Sequence, residues 1–192
     1  MKKSFFIGCL FFPLGLLAQL AAKVEWTRQT TMPASDVIYY IPENKLSWEN
    51  FKGKAPVDNS NTAAITMSGF GYTASIKSSG GKGELNIKVY CFFNKNKSWV
   101  RQGKKNAYIL NHEQHHFDIS YIAASIFIDR IRNSVLTAKD YNTLLPRIYD
   151  ECVASMDSMQ ENYDRQTRNG RERSLQEKWN DLIADKITAV TR

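Results

Sequence analysis

Long apolar runs are scarce in this chain of 192 residues, and after the first twenty positions none approaches the ~20 consecutive apolar residues that a membrane-spanning helix needs. Internal repeats and low-complexity tracts are absent, which argues against solenoid and fibrous architectures. Cysteine is limited to three residues. Histidine is equally rare, and all three histidines fall between positions 112 and 116. The Lys and Arg residues outnumber Asp and Glu by 26 to 19, yet the cations are scattered and no nucleic-acid-binding motif accompanies them. A solvated basic surface accounts for that charge better than a nucleic-acid partner.

The one early apolar run has a recognisable form. Lys2 and Lys3 precede Phe5 to Ala18, and the small residues Ala18, Ala21 and Ala22 offer cleavage points. This is the pattern of a secretory signal peptide over residues 1–18, with cleavage as late as 22. A lipid anchor on Cys9 is the rival, but the apolar stretch continues well past that cysteine. The mature protein is therefore expected to be exported, periplasmic or secreted, without a membrane span. Loss of Lys2 and Lys3 would lower the formal charge from +7 to +5. The remaining chain suffices for a single domain over residues 23–192. Cys91 and Cys152 would then share an oxidising compartment, either as one disulfide or as two buried thiols.

Along that domain, residues 24–60 read as irregular, punctuated by Pro33, Pro42 and Pro56. Two strand-like runs follow, residues 62–77 and 83–93, joined by a Ser- and Gly-rich turn that predicts a β-hairpin. From Lys105 the apolar period becomes helical, predicting helices near 105–136, 140–168 and 172–189, the second stopped by Asn169-Gly170. Strands first and helices after them predict an α+β domain.

The octet Asn-His-Glu-Gln-His-His-Phe-Asp, residues 111–118, falls on the first helix. At about 100° per residue, His112 and His116 lie about 40° apart, amid Tyr108, Ile109, Ile119, Ala123, Ile126 and Phe127. Asn111, Gln114, Asp118, Ser125 and Asp129 form a polar side, with His115 beside it. Two adjacent imidazoles on an apolar face each need a partner, at about 1–3 kcal/mol per unsatisfied group, and two protonated rings would repel. A divalent metal removes both problems. His112, Glu113 and His116 fit H-E-x-x-H, where ligands at i and i+4 share one face and the intervening glutamate reaches a water as general base. Zinc suits imidazole ligands and makes water acidic enough for Glu113 to deprotonate it near neutrality. By chance, a shuffled chain of this composition would contain the pattern in roughly 0.2% of cases. Two core histidines bonded to backbone or hydroxyl groups are the structural alternative.

These residues belong to a wider set. Leu46 to Gly53 (LSWENFKG), Ala63 to Thr66 (AAIT), Ser98 to Val100 (SWV), His112 to Ile119 (HEQHHFDI), Tyr163 to Thr167 (YDRQT), and Gln176 with Trp179 occur in an order that resembles a family of exported bacterial domains. That family, without an assigned substrate, is grouped with zinc-dependent metallopeptidases of the zincin type. The resemblance implies a zincin-like fold, an active-site helix behind a small antiparallel sheet with two further helices, and a peptide or protein substrate. This chain departs from the family where Y-D-x-E-T-x-H-G would continue: Gln166 and Asn169 replace the glutamate and the histidine.

A third metal ligand is needed, and His115 points about 100° away from His116. The second predicted helix carries an apolar stripe of Tyr141, Leu145, Ile148, Cys152, Met156, Met159 and Tyr163. Relative to Tyr163, Asp164 falls at about 100° and Asp157 at about 120°, while Glu161 near 160° faces away. Asp164, which also lies in the motif, is the first candidate, ahead of Asp157, with a solvated surface aspartate as the alternative. Tyr163 beside it is a candidate oxyanion donor or else a core tyrosine. Trp48, Trp99 and Trp179 are expected to fill core and seal loops. Asp118 is expected to cap or support rather than ligate. An exposed edge on the 83–93 strand would let an extended peptide add as a further strand.

Two classes of function remain. One is a zinc-dependent metallohydrolase, most naturally a peptidase. The other is a non-catalytic exported binding protein retaining a structural or vestigial zinc, favoured by Gln166 and Asn169.

Overall fold

The computed structural model describes residues 20–58, 60–79 and 82–191. The expected signal peptide, Cys9 included, and the tip of the hairpin at Gly80-Gly81 lie outside the described residues. Six strands precede three helices: β1 (Ala21–Trp26), β2 (Val37–Tyr39), β3 (Ala64–Ile65), β4 (Ser68–Ser79), β5 (Lys82–Asn94), β6 (Trp99–Val100), α1 (Ala107–Arg132), α2 (Tyr141–Thr167) and α3 (Arg173–Val190). The α+β class and the three helices agree with the sequence reading.

The hairpin forms as expected, with β4 and β5 antiparallel from Ser68 opposite Phe93 to Ser79 opposite Lys82. Strict alternation along β5 places Leu85, Ile87, Val89, Cys91 and Phe93 on one face, each no more than 3% exposed. That face packs against α1. Phe117, Tyr121, Ala124, Phe127 and Ile128 of the helix meet Phe70 and the β5 residues in the main apolar core. A smaller cluster of Ile119, Ile122, Tyr163, Trp179 and Ile183 joins α1 to α2 and α3. The helix thus lies between the sheet on one side and two helices on the other.

Three expectations need correction. Residues 24–60 are not wholly irregular, because β1 and β2 lie end to end along the edge of β5 opposite β4. Their partners are 53 to 63 positions away in sequence, so no local pattern marks them. The sheet is mixed rather than antiparallel, since β1 runs parallel to β5. The 62–77 run also breaks at Thr66-Met67, leaving β3 to pair with β6 in a separate two-stranded ladder.

α1 starts cleanly because the Asn106 side chain accepts the Ile109 N–H at 2.9 Å, satisfying one of the amides that a helix leaves open. α2 ends where Arg168, Asn169 and Gly170 adopt φ of 52°, 54° and 74°. Gly170 is required there on a second count, since an added Cβ would stand 3.2 Å from the His112 ring. The turn that stops α2 therefore also walls the site.

Candidate metal centre

His112 and His116, one turn apart on α1, turn their Nε2 atoms to within 3.3 Å of each other. Asp164 near the end of α2 brings one carboxylate oxygen to 3.1 Å from both. Each imidazole is fixed from behind. His112 Nδ1 donates to Gln176 Oε1 at 2.9 Å, and His116 Nδ1 donates to Gln160 Oε1. A neutral ring that donates from Nδ1 has its lone pair on Nε2. Two lone pairs and a carboxylate oxygen therefore converge on one point, an arrangement stable only around positive charge.

That charge can be a proton or a metal ion. The three atoms stand 3.1, 3.1 and 3.3 Å apart. Donors bound at about 2.0–2.1 Å on a tetrahedral ion are about 3.3 Å apart, so the spacing fits. His112, His116 and Asp164 could hold a metal ion as they stand. Without metal, burial works against ionisation of both partners, yet the His–Asp hydrogen bonds prevail: His116 is raised above the ordinary histidine range, and Asp164 is held well below the usual carboxylate range.

The metal-ligand expectations for His112, His116 and Asp164 thus describe residues that the fold brings together. Asp157 lines the same cleft, exposed, but stands outside the cluster. Gln166 and Asn169, at the points of departure from the family, are not needed to complete the trio. Gln166 accepts from the Trp179 indole at 3.0 Å, while Asn169 borders the cleft.

Glu113, the expected general base, is 4% exposed, and its Oε2 has no hydrogen-bond partner. A buried carboxylate oxygen without a donor costs about 1–3 kcal/mol or more and points to an incoming partner or a chemical role. It lines an open cleft of about 760 Å³ that also reaches His112, His116 and Asp164. Clefts of about 300–1,000 Å³ are typical of ligand sites. The stretch 61–66, including β3, also lines the cleft.

Tyr163 is not placed as an oxyanion donor. It is fully buried, with its hydroxyl donating to the His112 carbonyl at 3.3 Å and accepting from Gln176 Nε2 at 2.6 Å. Its ring stacks on His112 at 4.6 Å. Burial pushes its ionisation far up, so it is a core tyrosine packed against His112.

The polar side of α1 is largely covered: Gln114, Asp118 and Ser125, with His115 beside them, are all at most 9% exposed, while Asn111 is half-buried and Asp129 exposed. His115 does not join the cluster. Its Nδ1 faces Asp118 Oδ2 at 3.0 Å and its Nε2 faces Asn180 Oδ1 at 2.8 Å. Asn180 Oδ1 also accepts from Gln176 at 2.9 Å and Asn111 at 3.0 Å. Asp118 accepts from Tyr40 at 2.7 Å and Gln114 at 2.8 Å. Burial opposes its charge, but these donors, with His115 foremost, hold its pKa below normal. Asp118 is therefore a buried anchor, and a chain of hydrogen bonds runs from it through His115, Asn180 and Gln176 to His112.

Of the tryptophans, Trp179 is buried between α1 and α2, Trp48 packs on Phe51 at 5.0 Å, and Trp99 lies under Arg101. All three are structural, as expected. The exposed edge expected on β5 does not exist, since β4 covers one side and β1 with β2 the other. Comparison of the chain with protein-family models, with curated proteins and with solved structures returned no match.

Proposed function

We propose that the protein is an exported zinc-dependent metallohydrolase, most naturally a peptidase. One observation carries the reading: a buried carboxylate oxygen without a partner, on Glu113, shares an open cleft with three donors spaced for a metal ion. The resemblance of the HEQHHFDI and YDRQT motifs to zincin-type metallopeptidases supports it. A bound zinc would supply Lewis acidity at the floor of the cleft and shift the acidity of water towards neutrality.

The chain's own residues do the remainder. Gln160 and Gln176 accept from the Nδ1 atoms and so keep both Nε2 lone pairs turned inward. Glu113, with Oε2 free, takes the proton from the attacking water and returns it to the leaving group. Among the described residues β3 has β6 as its one strand partner, and it lines the cleft, so its second edge would offer backbone groups to an extended chain. On this reading an extended substrate would add to β3 and not to β5, whose edges are both paired. Ferrous iron takes the same donor trio, so elemental analysis of the purified protein belongs to the test.

The non-catalytic alternative draws on Asn169, which borders the cleft where the resembling family carries histidine. The decisive experiment is a peptide-library digest with wild type and Glu113→Gln. Gln keeps the shape but cannot accept the proton, so cleavage should fall by roughly 10² to 10⁴-fold while zinc remains bound. Asp164→Asn, His112→Ala and His116→Ala should each lose zinc, and His115→Ala should keep it. Undiminished turnover by Glu113→Gln would refute the mechanism, and no cleavage by metal-loaded wild type would favour the binding protein.

A further inference from the structure

The cleft's charge outside the metal cluster is lopsided. Lys104, Arg171 and Arg173 line it, and Asp157 is the one carboxylate there apart from Glu113 and Asp164. Among the described residues none of the three cations forms an ion pair. Glu172, between the two arginines, turns instead to the Ser174 hydroxyl at 3.1 Å. Arg173 lies over the Tyr108 ring at 4.6 Å, and Arg171 is tethered by its Nε to the Arg168 carbonyl at 2.9 Å. Both cations are thus oriented without being neutralised.

Their positions on the helices sharpen the point. Lys104 and Asn106 lead into α1, while Arg171 and Arg173 flank the start of α3. Neither helix has an acidic residue in its first turn. The first turn of a helix carries partial positive charge, where cations are unfavourable and acidic side chains are the usual complement. Both ends border one cleft: that of α1 has Lys104 beside it and no carboxylate, and that of α3 has Glu172 at its N-cap between Arg171 and Arg173, so cations outnumber the carboxylate there. The same cleft contains the unpartnered, buried Glu113 oxygen, an independent sign that a ligand enters.

We infer that the cleft selects peptides carrying a carboxylate, from an acidic side chain or a free C terminus, which Lys104, Arg171 and Arg173 receive while the adjoining backbone crosses the metal cluster. The inference rests on reading the cleft as a peptide site, and it names the class of peptide.

Binding separates it from the chemistry. Fluorescein-labelled short peptides can be titrated by anisotropy into zinc-loaded Glu113→Gln, which binds without turnover. One peptide has a central Glu and an amidated end, one a central Gln and a free carboxylate, and one a central Gln and an amidated end. One of the first two should bind about tenfold more tightly than the neutral peptide, the scale of one charge-assisted hydrogen bond. Which of the two does so identifies the carboxylate's source. In the Lys104→Ala/Arg171→Ala/Arg173→Ala variant the gap should shrink to about twofold or less with zinc content unchanged. Should that variant fold poorly, raising salt to about 1 M, where the Debye length is about 3 Å, should close the gap in the parent. Equal binding of all three peptides, no binding at all, or a gap that survives both treatments would overturn the inference. Absence of cleavage by wild type would leave the binding order intact and count against the hydrolase reading alone.

Discussion

The two halves of α1 are about equally buried and differ in what surrounds them. Residues 112–118 bury His112, Glu113, Gln114, His115 and Asp118, with His116 half-buried, whereas residues 119–131 bury Ile119, Ile122, Ala123, Phe127, Ile128 and Ile131. In the second half, removal of apolar surface from water stabilises the fold at about 1.5–3 kcal/mol per large side chain. In the first half, burial opposes folding unless every polar group finds a partner. Nearly all do, through Gln160, Gln176, Asn180 and Asp118. The exception is Glu113 Oε2, on a residue that lines the cleft. A helix built for stability alone would have no use for the first half, so its polar burial is the signature of a site.

The comparison breaks most sharply at Phe127, which is fully buried against Phe70, Tyr72 and Tyr149. Phe127→Ala should destabilise the protein by about 3–5 kcal/mol through lost burial and a residual cavity. Denaturant titration measures this, and zinc stoichiometry of the folded fraction should not change. A large loss of zinc from folded Phe127→Ala would show that the two halves are not separable.

The opposite result is expected at Asn180. Its Oδ1 collects donors from Asn111, His115 and Gln176, and Gln176 in turn orients His112. Asn180→Leu should weaken zinc binding by about 10- to 100-fold, the usual cost of losing a group that orients a ligand. Asn180→Asp keeps an oxygen acceptor and should retain most of the affinity. Competition with a chelator distinguishes the two, and equal loss in both variants would point to simple damage of packing.

Legibility in the sequence follows the same division. The three helices and the hairpin could be read because their periodicity is local. β1 and β2 could not, since only pairing with distant β5 makes them strands. His112 and His116 could be paired from their spacing on one helix, whereas angle alone left Asp164 beside Asp157 and the motif resemblance helped put it first. Gln160 and Asn180 leave none, being polar residues on half-exposed helices until packing turns them inward. Gln176 was marked by resemblance alone. The stripe with Asn111, Gln114 and Asp118 resembles a wet face. It is covered instead by α3 and by the segment around Tyr40 and Leu46, whose hydroxyl and N–H reach Asp118 and Gln114 at 2.7 Å each.

A smaller effect is expected where the turn after α2 meets the ligand. Gly170 has φ 74°, and a methyl there would touch the His112 ring at 3.2 Å. Gly170→Ala combines a left-handed backbone with that contact, so about 1–2 kcal/mol of stability should be lost. A modest fall in zinc affinity should accompany it. An unchanged melting temperature with unchanged zinc binding would show that the turn yields without disturbing His112.

The smallest expected effect concerns the cysteines. Cys91 on β5 and Cys152 on α2 are both free and buried in the dry core next to the second half of α1. A bond between them would close a loop of about 60 residues and stabilise the fold by roughly 4 kcal/mol in the chain-entropy model. With free thiols that contribution is absent, so a reductant should leave the melting temperature unchanged even in protein from an oxidising compartment. Burial raises both thiols above the ordinary cysteine range, Cys91 most strongly, so little thiolate forms near neutrality. A thiol reagent should therefore label the native protein slowly and both positions completely after denaturation without reductant. A drop in melting temperature on reduction, or the absence of titratable thiols in the denatured chain, would show that a crosslink as well as apolar packing ties the sheet to α2.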